Sequence, residues 1–348
     1  MTIRLLRIVV AEDRANATLS EAFSLDAATE ITGTATDGLQ VVTLTRKLRP
    51  DAVVIDAHMP RIDGFEATRR IMSETPTPIV IVAENLDRAA VRVSMEALGA
   101  GALAAVQKPM NLGTPEFVVR SATLVDTVRT LADVKLVRRW PDRPRPRLPV
   151  VGPSIGRSAM RPAVVAIGAS TGGPAALHRI LPHLRPTFPL PILITQHIAR
   201  GFVNGMVRWL DEAAPLKVKL AEHGESLQPS TVYVAGDDRH LTVLPDRTIA
   251  LTEDPPSDGH RPSATVLFRS VAQAFGPKAL AVVLTGMGRD GADGLDAVHR
   301  AGGLVFAQDE PSSAVFGMPK AAIDAGLTDL VLPLDAIADQ LTLTAMPA

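Results

Sequence analysis

The 348-residue chain has no cysteine, one tyrosine, two tryptophans and no long apolar run. Without thiols, disulfide scaffolds, thiolate zinc sites and cysteine nucleophiles are excluded. Aromatics make up 3% and hydrophobic residues 46%. The cores must therefore be built from Val, Ile, Leu and Ala, a set that suits parallel sheets covered by helices on both faces. A formal net charge of −1 gives no electrostatic reason to expect nucleic acid or a membrane surface as the main partner. No stretch reaches the roughly 18 apolar residues of a membrane span, so no direct membrane insertion is expected. The opening MTIRLLRIVVAED is too short and too soon charged for a signal peptide. A cytoplasmic protein is expected.

The length suits two domains. LRIVVAED, DAVVIDAHMP, TPIVIVAEN and ALAAVQKP read as buried strands, with helical stretches such as GFEATRRIMSE and LDRAAVRVSMEALG between them. Strand–helix repetition of this kind implies right-handed crossovers and a parallel sheet. A helical pattern runs to about Arg139. WPDRPRPRLPVVGPSIGRSAMRP follows, with six prolines, many arginines and no helical period; it reads as an extended linker whose arginines are solvating charge or contacts for an acidic partner. From Ala163 a second alternation begins. AVVAIG, LPILITQH, KVKLAE, TVYVAG and ALAVVLTG read as strands, and GGPAALHRILPHL, SATVLFRSVAQAFG and GADGLDAVHRAG as helices. Pro174 falls where a first helical turn accepts proline, and Ser263 is a plausible N-cap. The expected divisions are a first domain over 1–125, a helical and then Pro/Arg-rich linker over 126–160, and a second α/β domain over 161–348.

In the first domain Glu12 and Asp13 follow the first strand, Asp56 ends the second and Lys108 ends the last. A parallel sheet brings such strand ends to one edge. Three converging carboxylates repel one another unless a cation sits among them, and Mg2+ suits an all-oxygen site. A carboxylate beside Mg2+ can attack a phosphoryl donor and become an acyl phosphate, with the lysine ammonium pairing its oxygens. Each acid alone would read as a strand end or helix cap. Together, Glu12-Asp13, Asp56-x-x-Met59-Pro60-x-x-Asp63-Gly64 and Lys108-Pro109 resemble the response-regulator receiver family over roughly residues 4–125. The resemblance implies a flavodoxin-like fold, Asp56 as phosphoacceptor, Mg2+ held by Glu12, Asp13 and Asp56, and a sensor histidine kinase as phosphodonor. Two positions depart from the family. Ala83 stands where a Ser or Thr hydroxyl normally bonds the phosphoryl group, and Ala105 stands where an aromatic ring often repacks. The acceptor chemistry is intact, but the usual relay lacks both parts, so signalling through interface rearrangement with weaker coupling is expected.

In the second domain AVVAIGASTGGPAAL places Ser170 in a glycine-rich turn between a strand and a helix, whose N-terminal N–H groups and dipole favour a developing oxyanion. Alone, this turn fits three roles: a nucleophile elbow, Gly168-x-Ser170-x-Gly172; a nucleotide-phosphate cradle, although G-x-G-x-x-G and a Walker lysine are missing; or a plain structural turn. His197 ends PILITQH, and Asp290 lies in the glycine-rich loop after ALAVVLTG. Alone, the histidine would be structural and the aspartate a helix cap. All three at the carboxyl ends of parallel strands is what a nucleophile, its base and an orienting carboxylate require. His197 would take the Ser170 proton and later protonate the leaving alcohol, and Asp290 would hold the imidazole. The chain order Ser, His, Asp differs from the α/β-hydrolase order, so that fold is not expected.

Around these residues the stretches IGASTGGP, ITQHIARGF, HRPSATVLFRSVA, LTGMGRDGADGL and AQDEPSSAVFGMPKAAI resemble the chemotaxis protein-glutamate methylesterase family, CheB, over about 163–340. The receiver–linker–esterase arrangement is similar too. The resemblance implies a doubly wound, mostly parallel, Rossmann-like esterase domain. It implies hydrolysis of glutamate γ-methyl esters on the cytoplasmic domains of methylated chemoreceptors, with deamidation of receptor glutamines beside it, and no cofactor for the ester chemistry. It maps Ser170, His197 and Asp290 onto the triad, and Thr171 and Met287 onto active-site loops as substrate or oxyanion contacts; packing alone would also explain Met287. The run His260 to Ser263 is either a loop closed by a helix cap or a lining of the site. An unphosphorylated receiver would restrict access to the esterase, and phosphorylation would shift the population toward an open arrangement. Two other readings stand beside this one: a receiver fused to a non-catalytic nucleotide-binding module, and an esterase of this family serving a sensory pathway other than motility.

Overall fold

The computed structural model describes residues 5–13, 17–84, 87–132, 134 and 160–346. The Pro/Arg-rich stretch from Trp140 to Ala159, read above as linker, lies outside them. The chain divides into two compact units, residues 1–143 and 144–348.

The first unit alternates strand and helix: Leu6–Ala11 (β1), Leu19–Ser24 (α1), Thr29–Ala35 (β2), Gly38–Leu48 (α2), Ala52–Asp56 (β3), Gly64–Glu74 (α3), Ile79–Ala83 (β4), Arg88–Ala100 (α4), Ala104–Gln107 (β5) and Pro115–Ala132 (α5). All five strands are parallel, in the order β2-β1-β3-β4-β5. β3 and β4 are wholly buried runs of Val, Ile and Ala, as strands covered on both faces must be. Aspartates start three helices: Asp37, Asp63 and Asp87 accept backbone N–H bonds at the first turns of α2, α3 and α4. Asp63 of the D-x-x-M-P-x-x-D-G run is thus a helix cap.

The second unit comprises Val164–Ala169 (β6), Gly173–Ile180 (α6), Ile192–Gln196 (β7), Val203–Ala213 (α7), Lys217–Leu220 (β8), Thr231–Val234 (β9), His240–Val243 (β10), Ile249–Thr252 (β11), Ala264–Phe275 (α8), Ala279–Val283 (β12), Ala292–Arg300 (α9), Leu304–Gln308 (β13), Met318–Asp324 (α10), Leu330–Leu332 (β14) and Leu334–Ala345 (α11). Seven parallel strands run in the order β14-β13-β12-β6-β7-β9-β8. β10 and β11 form a separate antiparallel pair. The chain starts at β6 in the sheet's interior, winds out through β7 to β8, then returns to β12 on the other side. The crevice beyond β6, between β12 and β7, is therefore the topological switch point where open α/β sheets bind ligands. The core beneath it is Val, Leu, Ala and Phe, with Phe268 and Leu267 of α8 packed on it. The receiver-like and doubly wound α/β architectures expected above are both present. Among the described residues, no helix is long and apolar enough to cross a membrane.

Candidate active site and phosphoacceptor site

Ser170 follows β6 at the switch point. Its N–H donates to Thr285 O beyond β12 at 3.0 Å, and the carbonyl before it, Ala169 O, accepts from His197 N beyond β7 at 2.9 Å. The two ladders thus continue past the strands and bring the backbones of residues 170, 197 and 285 side by side. Gly172 caps α6 in the left-handed region at φ 76°, which a non-glycine residue adopts only with strain. Pro174 lies in the first turn, as expected. Opposite, Gly286 leaves room for the serine: a Cβ there would stand 2.7 Å from Ser170 Cβ and 2.4 Å from Met318 Sδ.

His197 and Asp290 meet. Nε2 of His197 is 2.9 Å from Oδ2 of Asp290. Neither ring nitrogen of His197 makes a straight hydrogen bond, and no bond joins the ring to the Ser170 hydroxyl. Asp290 is buried and held by Ser263 Oγ at 2.7 Å, Ala264 N at 2.7 Å and Thr265 N at 3.1 Å. Burial alone would raise its pKa. The His197 contact and the bonds from Ser263 and Ala264 outweigh that and hold the carboxyl well below the usual range. A helix cap was the plain reading of this aspartate. It does accept from a helix N-terminus, but from α8 rather than from α9, the helix that follows it.

The His260–Ser263 run fulfils both of its readings. Ser263 caps α8, accepting from Val266 N, and its hydroxyl donates to Asp290. The His260 ring stacks on His197 with centroids 3.9 Å apart and planes 9° from parallel. Burial first, then the charge of His197, hold His260 below the usual histidine range against opposing pulls from Asp290 and Asp258. Thr171 and Met287 are half-buried at the rim. Among the described residues, neither of their backbone N–H groups has a hydrogen-bond partner, which leaves both free to meet an oxyanion. Thr285 Oγ1 donates to Thr171 O at 2.9 Å and accepts from Val315 N, tying the Ser170 turn to the loop before α10.

Two participants went unread in the sequence. Gln196 is buried, and its Nε2 donates to Ser170 O at 2.8 Å and His197 O at 2.7 Å, joining the turns of these two residues. Buried His240 accepts from Ser263 N at Nδ1, 3.2 Å, while Nε2 faces Pro255 O at 3.2 Å. The signal for Gln196 was a lone amide ending an otherwise apolar strand. For His240 no local signal existed, because its partners lie in other segments.

In the first unit Lys108 is fully buried. Its Nζ is 2.8 Å from Asp56 Oδ2 and 3.4 Å from Glu12 Oε2. Asp56 Oδ1 also accepts from His58 N at 3.0 Å. The family resemblance gave Glu12 to a metal, while alone it would read as a strand end or helix cap. In the structure its oxygens accept from Thr18 N and Leu19 N at the start of α1. No group of three or more His, Asp or Glu side chains in metal-holding geometry occurs among the described residues, so the three-ligand set is not assembled in this conformation. The donor chemistry still fits a hard cation: two buried carboxylates face one ammonium, an all-oxygen pocket with excess negative charge before Asp13 is added. Ala83 is buried at the end of β4, and its carbonyl accepts from Lys108 N at 2.8 Å. It offers no hydroxyl.

The CheB methylesterase family matches residues 165–341, and the response regulator receiver domain matches residues 8–115. Protein-glutamate methylesterase/protein-glutamine glutaminase 4 of Myxococcus xanthus (strain DK1622) is 51% identical over 340 residues, 97% of this chain and 96% of that protein. Protein-glutamate methylesterase/protein-glutamine glutaminase 3 of Anaeromyxobacter dehalogenans (strain 2CP-C) is 49% identical over 343 residues, 97% of this chain and 99% of its own. The crystal structure of the Thermotoga maritima CheB methylesterase catalytic domain is 38% identical, with a TM-score of 0.51 over 53% of this chain and 98% of that one.

Proposed function

This chain belongs to the CheB methylesterase family, a receiver-bearing group of protein-glutamate methylesterases/protein-glutamine glutaminases in chemotaxis signalling, and from that premise we propose that Ser170, His197 and Asp290 hydrolyse glutamate γ-methyl esters on the cytoplasmic domains of chemoreceptors. Ser170 Oγ attacks the ester carbonyl while His197 takes its proton through Nδ1, the ring nitrogen turned away from Asp290. Asp290 fixes the ring and balances the imidazolium. The N–H groups of Thr171 and Met287 receive the oxyanion. His197 returns the proton to the departing methanol, leaving an acyl-enzyme. Water, activated by the same imidazole, then releases glutamate. A glutamine side chain follows the same course with ammonia as leaving group. The ester chemistry uses no cofactor.

The observation that carries this reading is the 2.9 Å His197–Asp290 contact beside the serine turn at the sheet's switch point. A serine-directed organophosphonate tests it: labelling of the wild type that disappears in Ser170→Ala is expected. Tight nucleotide binding without labelling would favour the binding-module alternative.

In the first unit, Asp56 accepts the phosphoryl group from a sensor histidine kinase. Asp13 and Asp56, with Glu12 behind them, would hold Mg2+, which neutralises charge between the carboxylate and the incoming phosphoryl group. Lys108 pairs with the phosphoryl oxygens once they replace its present contact to Asp56. Phosphorylation relieves a restriction that the receiver imposes on the esterase. With alanine at 83 and 105, that coupling runs through interface rearrangement and is weaker than a hydroxyl relay. The enzyme acts from the cytoplasm.

A further inference from the structure

The geometry points to His260 as a positioning residue for the ester hydrolysis: its ring, stacked on His197, holds the plane of the base against the Asp290 carboxylate. The inference rests on the Ser170–His197–Asp290 reading and adds a fourth side chain to it.

An imidazole attached through an sp3–sp2 bond has a broad, roughly two-fold torsional preference. Something must fix the tilt of a ring that has to serve a hydroxyl on one side and a carboxylate on the other. Neither nitrogen of His197 makes a straight hydrogen bond, so the Asp290 contact alone does not define the ring plane. The His260 ring does, at 3.9 Å and 9° from parallel.

His260 is itself fixed from three directions. Its backbone exchanges two hydrogen bonds with Ser257, at 2.9 and 3.1 Å. The next side chain, Arg261, donates to the carbonyls of Glu253 and Asp254. Ser263, three residues on, is anchored through its N–H to buried His240. The same segment then sends the Ser263 hydroxyl and the Ala264 and Thr265 N–H groups to Asp290. One short stretch therefore orients both the base, through a stacked ring, and the acid, through three hydrogen bonds.

The charges facing His260 are those of His197 at the end of β7, Asp290 beyond β12 and Asp258 in its own loop. Burial and His197 together disfavour its cation. A neutral aromatic face beside a forming imidazolium is attractive; a second cation there would be repulsive. A charged His260 would therefore place a second cation beside the base and oppose the imidazolium that forms there.

The test uses full-length His260→Ala and His260→Phe beside wild type, with Ser170→Ala as blank, following methanol release from membranes carrying methylated receptors. His260→Ala is expected to lose roughly 10- to 100-fold in kcat with KM nearly unchanged, the scale of a misplaced catalytic group. His260→Phe, which keeps a ring but no ionisation, should recover most of that loss. A wild-type kcat in His260→Ala would overturn the inference. So would a His260→Phe enzyme as impaired as the alanine variant. If His260→Ala fails to fold, His260→Leu, which fills the space without a ring, is compared with His260→Phe, and equal kcat values in the two would overturn the inference. No methanol from wild type above the blank would instead bring down the hydrolase reading itself, and this inference with it.

Discussion

Asp290 touches His197 at 2.9 Å while its two oxygens also take the Ser263 hydroxyl and the first N–H groups of α8. One carboxylate thus closes a helix and, in the proposed mechanism, orients the base. Function and stability are coupled at this residue, and the two can be separated by substitution.

Asp290→Asn keeps the shape but replaces one acceptor oxygen with a donor that faces N–H groups. By analogy with the buried aspartate of serine-protease triads, kcat should fall by about 10⁴-fold. The start of α8 should also weaken, lowering the melting temperature. A variant with normal kcat would remove Asp290 from the mechanism, whatever its stability.

Gly286→Ala should disable the nucleophile with little harm to the fold. The added methyl would meet Ser170 Cβ at 2.7 Å and Met318 Sδ at 2.4 Å. The flexible methionine can yield, whereas the serine shifts. The expected outcome is a large loss of organophosphonate labelling at Ser170 with a melting temperature only slightly reduced. Undiminished labelling would show that the turn tolerates the crowding.

Acid should destabilise the catalytic unit in two separate windows. The folded pKa of Asp290 lies below its unfolded value of about 3.9. Its stabilisation is therefore fully present above about pH 4 and is lost as pH falls through the folded value. The folded pKa of His260 is also depressed, chiefly by burial, from about 6.5; its contribution is present above that pH and declines as pH falls toward the folded value. Urea unfolding at a series of pH values should show His260→Phe losing less stability than wild type just below pH 6.5, by about the same reference scale. Asp290→Asn should differ in slope only at lower pH. Parallel curves for all three proteins would refute both assignments.

On the receiver, a small-molecule phosphodonor with Mg2+ should label Asp56, and Asp56→Asn should abolish the label. Lys108→Ala leaves two buried carboxylates facing each other and should cost about 3–5 kcal/mol of stability. A fragment of residues 150–348 should be more active than the full chain if the receiver restricts access. Equal activity would remove the inhibitory role. Because Ala83 has no hydroxyl to engage the phosphoryl group, beryllofluoride should activate the full chain only modestly; a many-fold rise would show that strong coupling does not need that hydroxyl.

Much of this was legible in the sequence because buried parallel strands are nearly pure Val, Ile, Leu and Ala. β1, β3, β4, β6, β7 and β12 each stand out as such a run, and Glu12, Asp56, Ser170 and His197 end or directly follow four of them. Of the edge strands, β5 and β8 were read as well, but β2 and β14 were not. β2 reads TEITGTA, half polar with a glycine, because only one side of it is paired. β14 is three residues long. β10 and β11 lie outside the main sheet, and helices α7 and α11 carried no motif to draw attention to them. At the site, Ser170, His197 and Asp290 announced themselves by lying at strand ends. His260 and Ser263 were visible as a run but with no indication of which strand ends they would meet. Gln196 and His240 act through backbone groups of distant segments, which no spacing encodes. Glu12 shows the converse: its place at a strand end pointed to a metal, yet its oxygens also serve the N-terminus of α1.

The most direct test of the hydrolase itself is methanol release from membranes carrying radiolabelled methylated receptors. Wild type should release labelled methanol, and Ser170→Ala and His197→Ala should both fall to background, a loss of roughly 10⁶-fold in kcat by the measure of other serine hydrolases. Release that persists in either variant, or that never appears in wild type, would contradict a mechanism in which His197, braced by Asp290, draws the proton from Ser170.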